Sequence, residues 1–214
     1  MTITTQNIIT MFQAIADAIE ADKDHLSELD GIIGDADHGV TMNIGFQAVS
    51  RALSELDAAQ HEPSAAFNTA AKSFLNAVGA SSGPLYATAF MRAGAATKGK
   101  GELDREIMAE AFMAMAKGIQ DRGKAEPGDK TMVDAWLPAA EAVSEAIGRN
   151  ESVAQFLAAA AKAAEQGAES TKAMQASKGR AARLGSRSLG HMDPGAASAA
   201  LIVRTIADHF NDKA

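Results

Sequence analysis

Apolar residues in this chain repeat at spacings of three and four, which is the period of an amphipathic α-helix. Ile8, Phe12, Ile15 and Ile19 would share one helical face. A second stripe with the same steps consists of Met108, Phe112, Met115 and Ile119. No stretch of comparable length alternates with period two, and runs of β-branched residues are short. The pattern therefore predicts an all-α fold.

Capping residues and helix breakers divide the chain into eight predicted helices. Ser152 and Gln155 form a capping-box pair, and Asp193 precedes a proline at a first helical position. Pro138 is expected to kink the sixth helix or to mark a later start. Since neither a repeat nor a linker is visible, we expect one domain over 1–214. The predicted helices lie at about 5–27, 40–60, 65–78, 84–97, 104–121, 130–148, 153–175 and 194–210.

Composition excludes several classes of function. With 27 acidic side chains against 20 basic ones, the formal net charge is −7, which argues against a nucleic-acid partner. The absence of cysteine excludes disulfides, thiolate zinc sites and cysteine nucleophiles. The amino-terminal stretch lacks a basic region, and no apolar run is long enough to cross a membrane. We therefore expect a cytoplasmic protein without a membrane partner.

Three acids and three glycines lie between the first two predicted helices. Asp30, Asp35 and Asp37 fall within 29–39, where the glycines are expected to take the backbone out of the helix. Carboxylates that converge repel one another unless a cation lies between them, and Mg²⁺ or Ca²⁺ prefers oxygen ligands. An EF-hand is excluded because position twelve is Thr41 when counted from Asp30 and Phe46 when counted from Asp35, and neither is glutamate. An acidic turn that caps the second helix is the alternative.

Two further connections are rich in glycine. Residues 79–83 match the G-x-S-x-G nucleophile elbow, but the preceding residues continue a helix, so we interpret the match as accidental. Small residues before a helix N-terminus bind phosphate readily, and a plain turn is the alternative. Residues 123–131 come within one residue of a Walker A loop. No strand precedes them, which excludes a P-loop fold, although the ingredients of a phosphate site remain.

The connection before the last helix is the most basic part of the chain. It contains Lys178, Arg180, Arg183 and Arg187, and it suits a polyphosphate or, alternatively, a solvated loop. If the helices run up and down, all four specialised connections fall at the same end of the bundle. The acids, glycines and arginines would then meet, which favours a metal-bound phosphate ligand at that end.

Four motifs together resemble a known family. They are GDADHGVTMNIGF at 34–46, SGPLY at 82–86, RGKAEPGDKTMVDAW at 122–136 and GRAARLGSRSLGHMDPGAAS at 179–198. In this order they are similar to the L subunit of dihydroxyacetone kinase, the DhaL family. The resemblance implies an eight-helix antiparallel up-and-down barrel with a nucleotide at one end. It also implies two Mg²⁺ ions on Asp30, Asp35 and Asp37, which clamp the phosphates of ADP or ATP.

The resemblance also implies which residues act. The three aspartates and Arg180 would be the catalytic groups, because phosphoryl transfer depends on positioning and on charge neutralisation. The residues that match the family's nucleotide site are His38, Thr41, Met42, Gly79, Ala80, Ser82, Gly123, Thr131, Met132, Arg180, Asp193, Pro194 and Gly195. Three positions depart from the family pattern, namely Thr41 where Asn is usual, and Ala80 and Ala87 where Gly is usual. They leave the exact sugar open.

A partner is also implied, because the residues supply no obvious sugar site. In the family, a separate K subunit holds dihydroxyacetone, and in one branch a phosphohistidine protein of the phosphotransferase system converts bound ADP to ATP. The forms around Ala36 and His191 are more similar to that branch. Two alternatives stay open: a small subunit of an ATP-dependent kinase for another ketose, such as a tetrulose, and a non-catalytic ADP-bound regulatory partner. Whether the free subunit forms a homodimer is also open.

Overall fold

The structure, a computed structural model, describes residues 2–79 and 82–211. Within them, the only pairing of extended backbone is a single bridge between Ile3 and Leu103. The all-α prediction is therefore confirmed. Two 3₁₀ segments, Thr171–Ala173 and Ala181–Ser188, accompany the α-helices. The α-helices are α1 (Thr5–Ile33), α2 (His38–Ser54), α3 (Pro63–Ala77), α4 (Ser82–Ala96), α5 (Arg105–Gly123), α6 (Val133–Gly148), α7 (Val153–Ser170) and α8 (Pro194–Asn211).

The helices form a closed ring. Each helix packs against the next one in the chain, and α8 returns to pack against α1. Both predicted apolar stripes are buried inside this ring. Aromatic rings meet edge to face in the interior, with 5.0 Å between the ring centres of Phe12 and Phe90 and 5.1 Å between those of Phe46 and Phe74. Burial of these faces is what holds the eight helices together.

Two glycines allow α2 to lie close to its neighbours. A Cβ atom at Gly39 would come 1.8 Å from the carbonyl oxygen of Lys23 in α1. A Cβ atom at Gly45 would come 2.4 Å from the ring of Phe74 in α3. Only glycine permits such approaches. The first turn of α2 is thereby held against α1, which brings its N-terminus next to the end of α1.

The structure corrects the predicted end of α1. The helix does not stop near residue 27 but continues through Asp30 to Ile33, although this segment was expected to leave the helix. Leu26, Asp30 and Ile33 follow one another at helical spacing and are all buried, so tertiary packing outweighs the low helix propensity of Gly31. The turn comes after Gly34, whose N–H donates to the Asp30 carbonyl at 2.5 Å.

Three other helix ends differ from the prediction. α2 ends at Ser54 rather than near 60, because the Asp57 side chain accepts the Ala59 N–H in a separate turn. α7 ends at Ser170, where the chain tightens into a 3₁₀ turn. α6 begins at Val133 rather than 130, since Lys130 adopts a left-handed φ of 62°.

Several local predictions are confirmed. Ser152 and Gln155 form the expected capping box of α7, and the Asp193 carboxylate accepts the Ala196 N–H at 2.8 Å at the start of α8. Pro138 lies inside α6, well after its first residue Val133, so it does not mark the start of the helix. Among the residues described, no helix combines the length and the low polarity needed to cross a lipid bilayer.

Candidate functional site

A cavity of about 520 Å³ lies at one end of the ring. Its wall is formed where α1 and α5 end and where α2, α4, α6 and α8 begin, together with the segment that joins α7 to α8. All four specialised connections of the sequence therefore contribute to it. The volume is within the range of small-molecule sites in proteins.

Asp30 is the buried member of the acidic cluster. It lies in the last turn of α1 with 8% exposure. Its Oδ2 atom accepts the backbone N–H groups of Asp37 at 2.9 Å and of His38 at 3.2 Å, so it satisfies the start of α2. Its Oδ1 atom lies against Gly34, where a Cβ atom would come within 2.0 Å of it. Glycine thus keeps this second oxygen accessible.

Asp35 and Asp37 complete the cluster. Both are exposed. One carboxylate oxygen from each of the three aspartates can be chosen so that all three oxygens lie within 4.8 Å of one another. Oxygens that share an octahedral Mg²⁺ lie about 3 to 4 Å apart, so this donor set is close to what divalent cations require. Nη1 of Arg180 contacts both carboxylates and lies 3.4 Å from Oδ2 of Asp37. These ion pairs are half-exposed, so they contribute little to stability.

Ser198 in α8 is a hydrogen-bond partner of His38. The distance between His38 Nε2 and Ser198 Oγ is 2.9 Å, and the same hydroxyl lies 3.0 Å from the Gly195 carbonyl oxygen. Burial lowers the pKa of His38, an effect that the nearby Asp30 carboxylate partly offsets.

The N-terminus of α8 forms a further part of the wall through Asp193, Pro194 and Gly195. A Cβ atom at Gly195 would come 2.9 Å from Oδ2 of Asp193, so glycine leaves room for the capping carboxylate. Burial raises the pKa of the Asp193 carboxyl group to about 7, although its bond from Ala196 N–H and the Lys130 ammonium act in the opposite direction.

Part of the cavity wall is apolar. Ile33, Leu85, Ile119, Ala125 and Val133 contribute apolar surface to the wall, and the acids and Arg180 contribute its charged groups. A ligand that fills the whole space must therefore combine a hydrophobic part with a charged part. A nucleotide has this character, because its base is apolar on both faces and its phosphates bind metal ions.

Most of the site residues predicted from the sequence line this cavity. They are Asp30, Asp35, Asp37, His38, Thr41, Ser82, Gly123, Thr131, Met132, Arg180, Asp193, Pro194 and Gly195. Two predicted residues lie elsewhere, since Met42 is fully buried in the hydrophobic core and Gly79 is exposed outside the cavity wall. Ala80 lies outside the described residues.

The structure adds polar residues that the sequence did not assign to the site. Asp134 accepts the N–H groups of Gly128 at 2.5 Å and Thr131 at 2.8 Å, which fixes the connection before α6. Ser198 orients His38, as described above. Lys130 lines the cavity but directs its ammonium group away into the protein. The incomplete Walker pattern marked Lys130 but gave no hint of this direction.

The fold and the cavity together define a class: an all-α helical barrel whose helix ends form a site that is lined by clustered carboxylates and by apolar residues. The model of the DAK2 domain matches residues 32–208, and the chain belongs to this family.

Known proteins with extensive similarity are members of the same group. The chain is 40% identical to "PEP-dependent dihydroxyacetone kinase, ADP-binding subunit DhaL" from Escherichia coli, over 97% of this chain and 98% of that protein. It is 34% identical to "PTS-dependent dihydroxyacetone kinase, ADP-binding subunit DhaL" from Lactococcus lactis, over 89% of this chain and 90% of that protein.

A solved structure shares the fold. The dihydroxyacetone kinase from C. freundii in complex with AMP-PNP and Mg²⁺ superposes with a TM-score of 0.71 and 25% sequence identity. The match covers 94% of this chain but only 33% of the C. freundii chain.

Proposed function

We propose that this chain, as one domain over residues 1–214, is the nucleotide-binding subunit of a dihydroxyacetone kinase. It binds ADP or ATP with two Mg²⁺ ions and passes the γ-phosphoryl group to dihydroxyacetone on a separate K subunit. A phosphohistidine protein of the phosphotransferase system then converts the bound ADP back to ATP. Support for the nucleotide comes from the names of the two DhaL relatives, and their PEP and PTS dependence supports the donor.

The observation that carries the proposal is the meeting of three carboxylates and an arginine at one side of the cavity. Asp30, Asp35 and Asp37 would hold the metal ions, and all three offer oxygen ligands within 4.8 Å of one another. Bound Mg²⁺ would neutralise the charge on the phosphate oxygens during transfer. Arg180 lies beside the same carboxylates and is the cation nearest to where phosphates would lie.

The other residues of the wall would orient the nucleotide. His38 lines the cavity and would offer an imidazole nitrogen for a hydrogen bond with the ligand. Thr41, Ser82 and Thr131 offer hydroxyl groups, and Gly123 and Gly195 allow close approach of the ligand to the backbone. The apolar residues of the wall would exclude water from the base. Met42, Gly79 and Ala80 remain proposed contacts on the strength of the family pattern alone.

The deciding experiment reconstitutes the transfer. Purified chain is mixed with its K partner, dihydroxyacetone, and either free ATP or a phosphohistidine donor protein with catalytic ADP. We expect dihydroxyacetone phosphate to form with the phosphohistidine donor. Formation with free ATP alone would assign the chain to an ATP-dependent kinase instead.

Two further arms separate the alternatives. Replacing dihydroxyacetone by a tetrulose tests the choice of ketose, since Ala80 and Ala87 depart from the family pattern. The absence of any sugar phosphate, despite tight nucleotide binding, would contradict the kinase and favour a regulatory partner that is bound to ADP without turnover.

A further inference from the structure

A basic loop connects α7 to α8 and carries Arg180 to the cavity. We call residues 171–193 the arginine loop. Its two ends are close together, since the Asp193 N–H donates to Thr171 Oγ1 at 2.9 Å and the Gly190 N–H donates to the Lys172 carbonyl at 2.8 Å. These two bonds define the neck of the loop. Most residues between the ends are exposed, and within the loop the Ala176 N–H donates to the hydroxyl of the buried Ser188 at 2.9 Å.

A single buried cation lies at this neck. Lys130 is 1% exposed, and its Nζ atom donates to the carbonyl of Thr171 at 2.6 Å and to the carbonyl of His191 at 2.5 Å. One carbonyl belongs to each side of the neck. The ammonium therefore joins the two ends of the arginine loop to each other and to the connection between α5 and α6.

The residue before Lys130 provides a second attachment. The carbonyl of Asp129 accepts the Ser177 N–H at 3.2 Å, and its carboxylate contacts the Ser177 hydroxyl. Ser177 precedes Arg180 by only three residues. Two consecutive residues, Asp129 and Lys130, thus hold the loop at its neck and next to the arginine.

The backbone at Lys130 shows that this arrangement is imposed by the surroundings. Its φ of 62° is left-handed, a conformation that is unfavourable for a residue other than glycine. Burial also lowers the pKa of its ammonium group, against the influence of Asp193 and Asp134. Glycine would adopt this backbone conformation more easily, but it could not donate the hydrogen bonds that the lysine ammonium makes to the two carbonyls.

We propose that Lys130 is a positioning residue of the nucleotide site: its ammonium clamps the neck of the arginine loop and so holds Arg180 beside Asp35 and Asp37. Direct contact with phosphate, the role of the lysine in a true Walker A loop, is disfavoured because its side chain is buried and bonded to two carbonyls. The binding consequence rests on the function proposed above, whereas the clamp itself does not.

The test uses the absence of cysteine from the chain. Lys130→Cys is alkylated in denaturant and refolded, with 2-bromoethylamine to restore an ammonium group or with iodoacetamide to give a neutral amide of similar length. The wild type passes through the same cycle. Lys124→Cys, treated identically, is the matched control, because Lys124 is also left-handed with φ 50° but is exposed.

Two measurements are made on each form. Hydrogen exchange of the ligand-free protein reports on the arginine loop, and calorimetry reports the affinity for ADP with Mg²⁺. In the amide form we expect exchange at residues 174–190 to be faster by about tenfold or more, with α3 to α5 unchanged. We also expect ADP affinity to fall by about tenfold or more, because a displaced arginine no longer aligns with its ligand. The ammonium form should match the wild type in both, and both Lys124 forms should as well.

Several results would overturn the proposal. Because an amide keeps two N–H donors, Lys130→Met, which has none, is measured beside both forms. Equal exchange and equal affinity in all three would show that the side chain at residue 130 holds nothing in place. Weaker ADP binding with unchanged loop exchange would make Lys130 a direct phosphate ligand. Loss of helical structure throughout the amide form would make it a residue of general stability. If neither alkylated form refolds, Lys130→Met expressed directly is measured in the same two assays, with the outcome of the amide form expected.

The same design separates this proposal from the proposed function. A wild type that binds no ADP in Mg²⁺ would contradict the nucleotide-binding function. The exchange difference between the two alkylated forms would still decide whether Lys130 clamps the loop.

Discussion

At the scale of single residues, the acidic cluster depends on a glycine as well as on its carboxylates. Asp30 uses Oδ2 to satisfy the N-terminus of α2, so only Oδ1 is left for a ligand. That oxygen lies where a side chain at residue 34 would begin. The position of the Asp30 carboxylate therefore requires a residue without a Cβ atom at position 34.

We expect Gly34→Ala to weaken Mg²⁺-dependent binding of ADP by about tenfold or more, since the added methyl group must displace the Asp30 carboxylate, and misplaced groups cost about this much. Calorimetry with ADP in the presence of Mg²⁺ measures the change.

Gly31→Ala is the matched control for this substitution. Gly31 is exposed within α1, and its Cβ atom would lie 3.4 Å from that of Ala36, which is an ordinary contact. We expect unchanged binding and a gain in the free energy of unfolding of about 0.5–1 kcal/mol, because alanine favours the helix. Equal binding in the two variants would show that Asp30 Oδ1 is not a ligand.

The identity of the site residues could be predicted from the sequence, but the orientation of their side chains could not. Asp30, Asp35 and Asp37 stand out as acids among glycines, and Arg180 stands out in an acidic chain. Lys130 was visible as part of a near-Walker pattern. Its inward direction depends on carbonyls 41 and 61 residues later in the chain, which no local pattern contains.

At the scale of elements, the sequence predicted the existence of all eight helices better than their ends. The first residues of α5, α7 and α8 were predicted to within one position. Each of these helices is preceded by an acid or a hydroxyl residue that caps it, and a cap is a local hydrogen bond. The ends of α1 and α7 were missed. They are set by burial of Asp30 and Ile33 and by the bond of Thr171 to Lys130, and both depend on tertiary contacts.

The caps lead to a prediction that separates stability from binding. Ser152 caps α7 at the end of the ring opposite the cavity. We expect Ser152→Ala to lower the free energy of unfolding by about 1 kcal/mol, measured by urea denaturation, through loss of the capping bond. Affinity for ADP should not change.

Ser144→Ala serves as the control for this variant. Ser144 is exposed in the interior of α6, where alanine is slightly favourable, so its stability should be equal to or above that of the wild type. A fall in ADP affinity for Ser152→Ala, beyond that of Ser144→Ala, would indicate that the two ends of the ring are coupled.

At the scale of the whole molecule, the site depends on the alternating direction of successive helices. Eight helices that run up and down place every second connection at the same end, so residues separated by more than 140 positions meet at one cavity, as Asp37 and Arg180 do. The sequence allowed this meeting to be predicted, because the four connections rich in acids, glycines and arginines all join an odd helix to an even one. The apolar residues of the cavity wall were not predicted, since they are indistinguishable from core residues in a sequence.

The central claim is that the three carboxylates hold divalent cations that bind a nucleoside diphosphate. Equilibrium binding of ADP, measured in Mg²⁺ and in EDTA, tests it most directly in the wild type, in Asp35→Asn and in Asp17→Asn, a variant of an exposed acid in the middle of α1. We predict that Mg²⁺ tightens ADP binding by about 100-fold in the wild type and in Asp17→Asn, which corresponds to about 2.7 kcal/mol. In Asp35→Asn we predict that this dependence is lost, because a neutral amide is a poor ligand for Mg²⁺. Equal ADP affinity in Mg²⁺ and EDTA for the wild type, or an undiminished effect of Mg²⁺ in Asp35→Asn, would contradict the account.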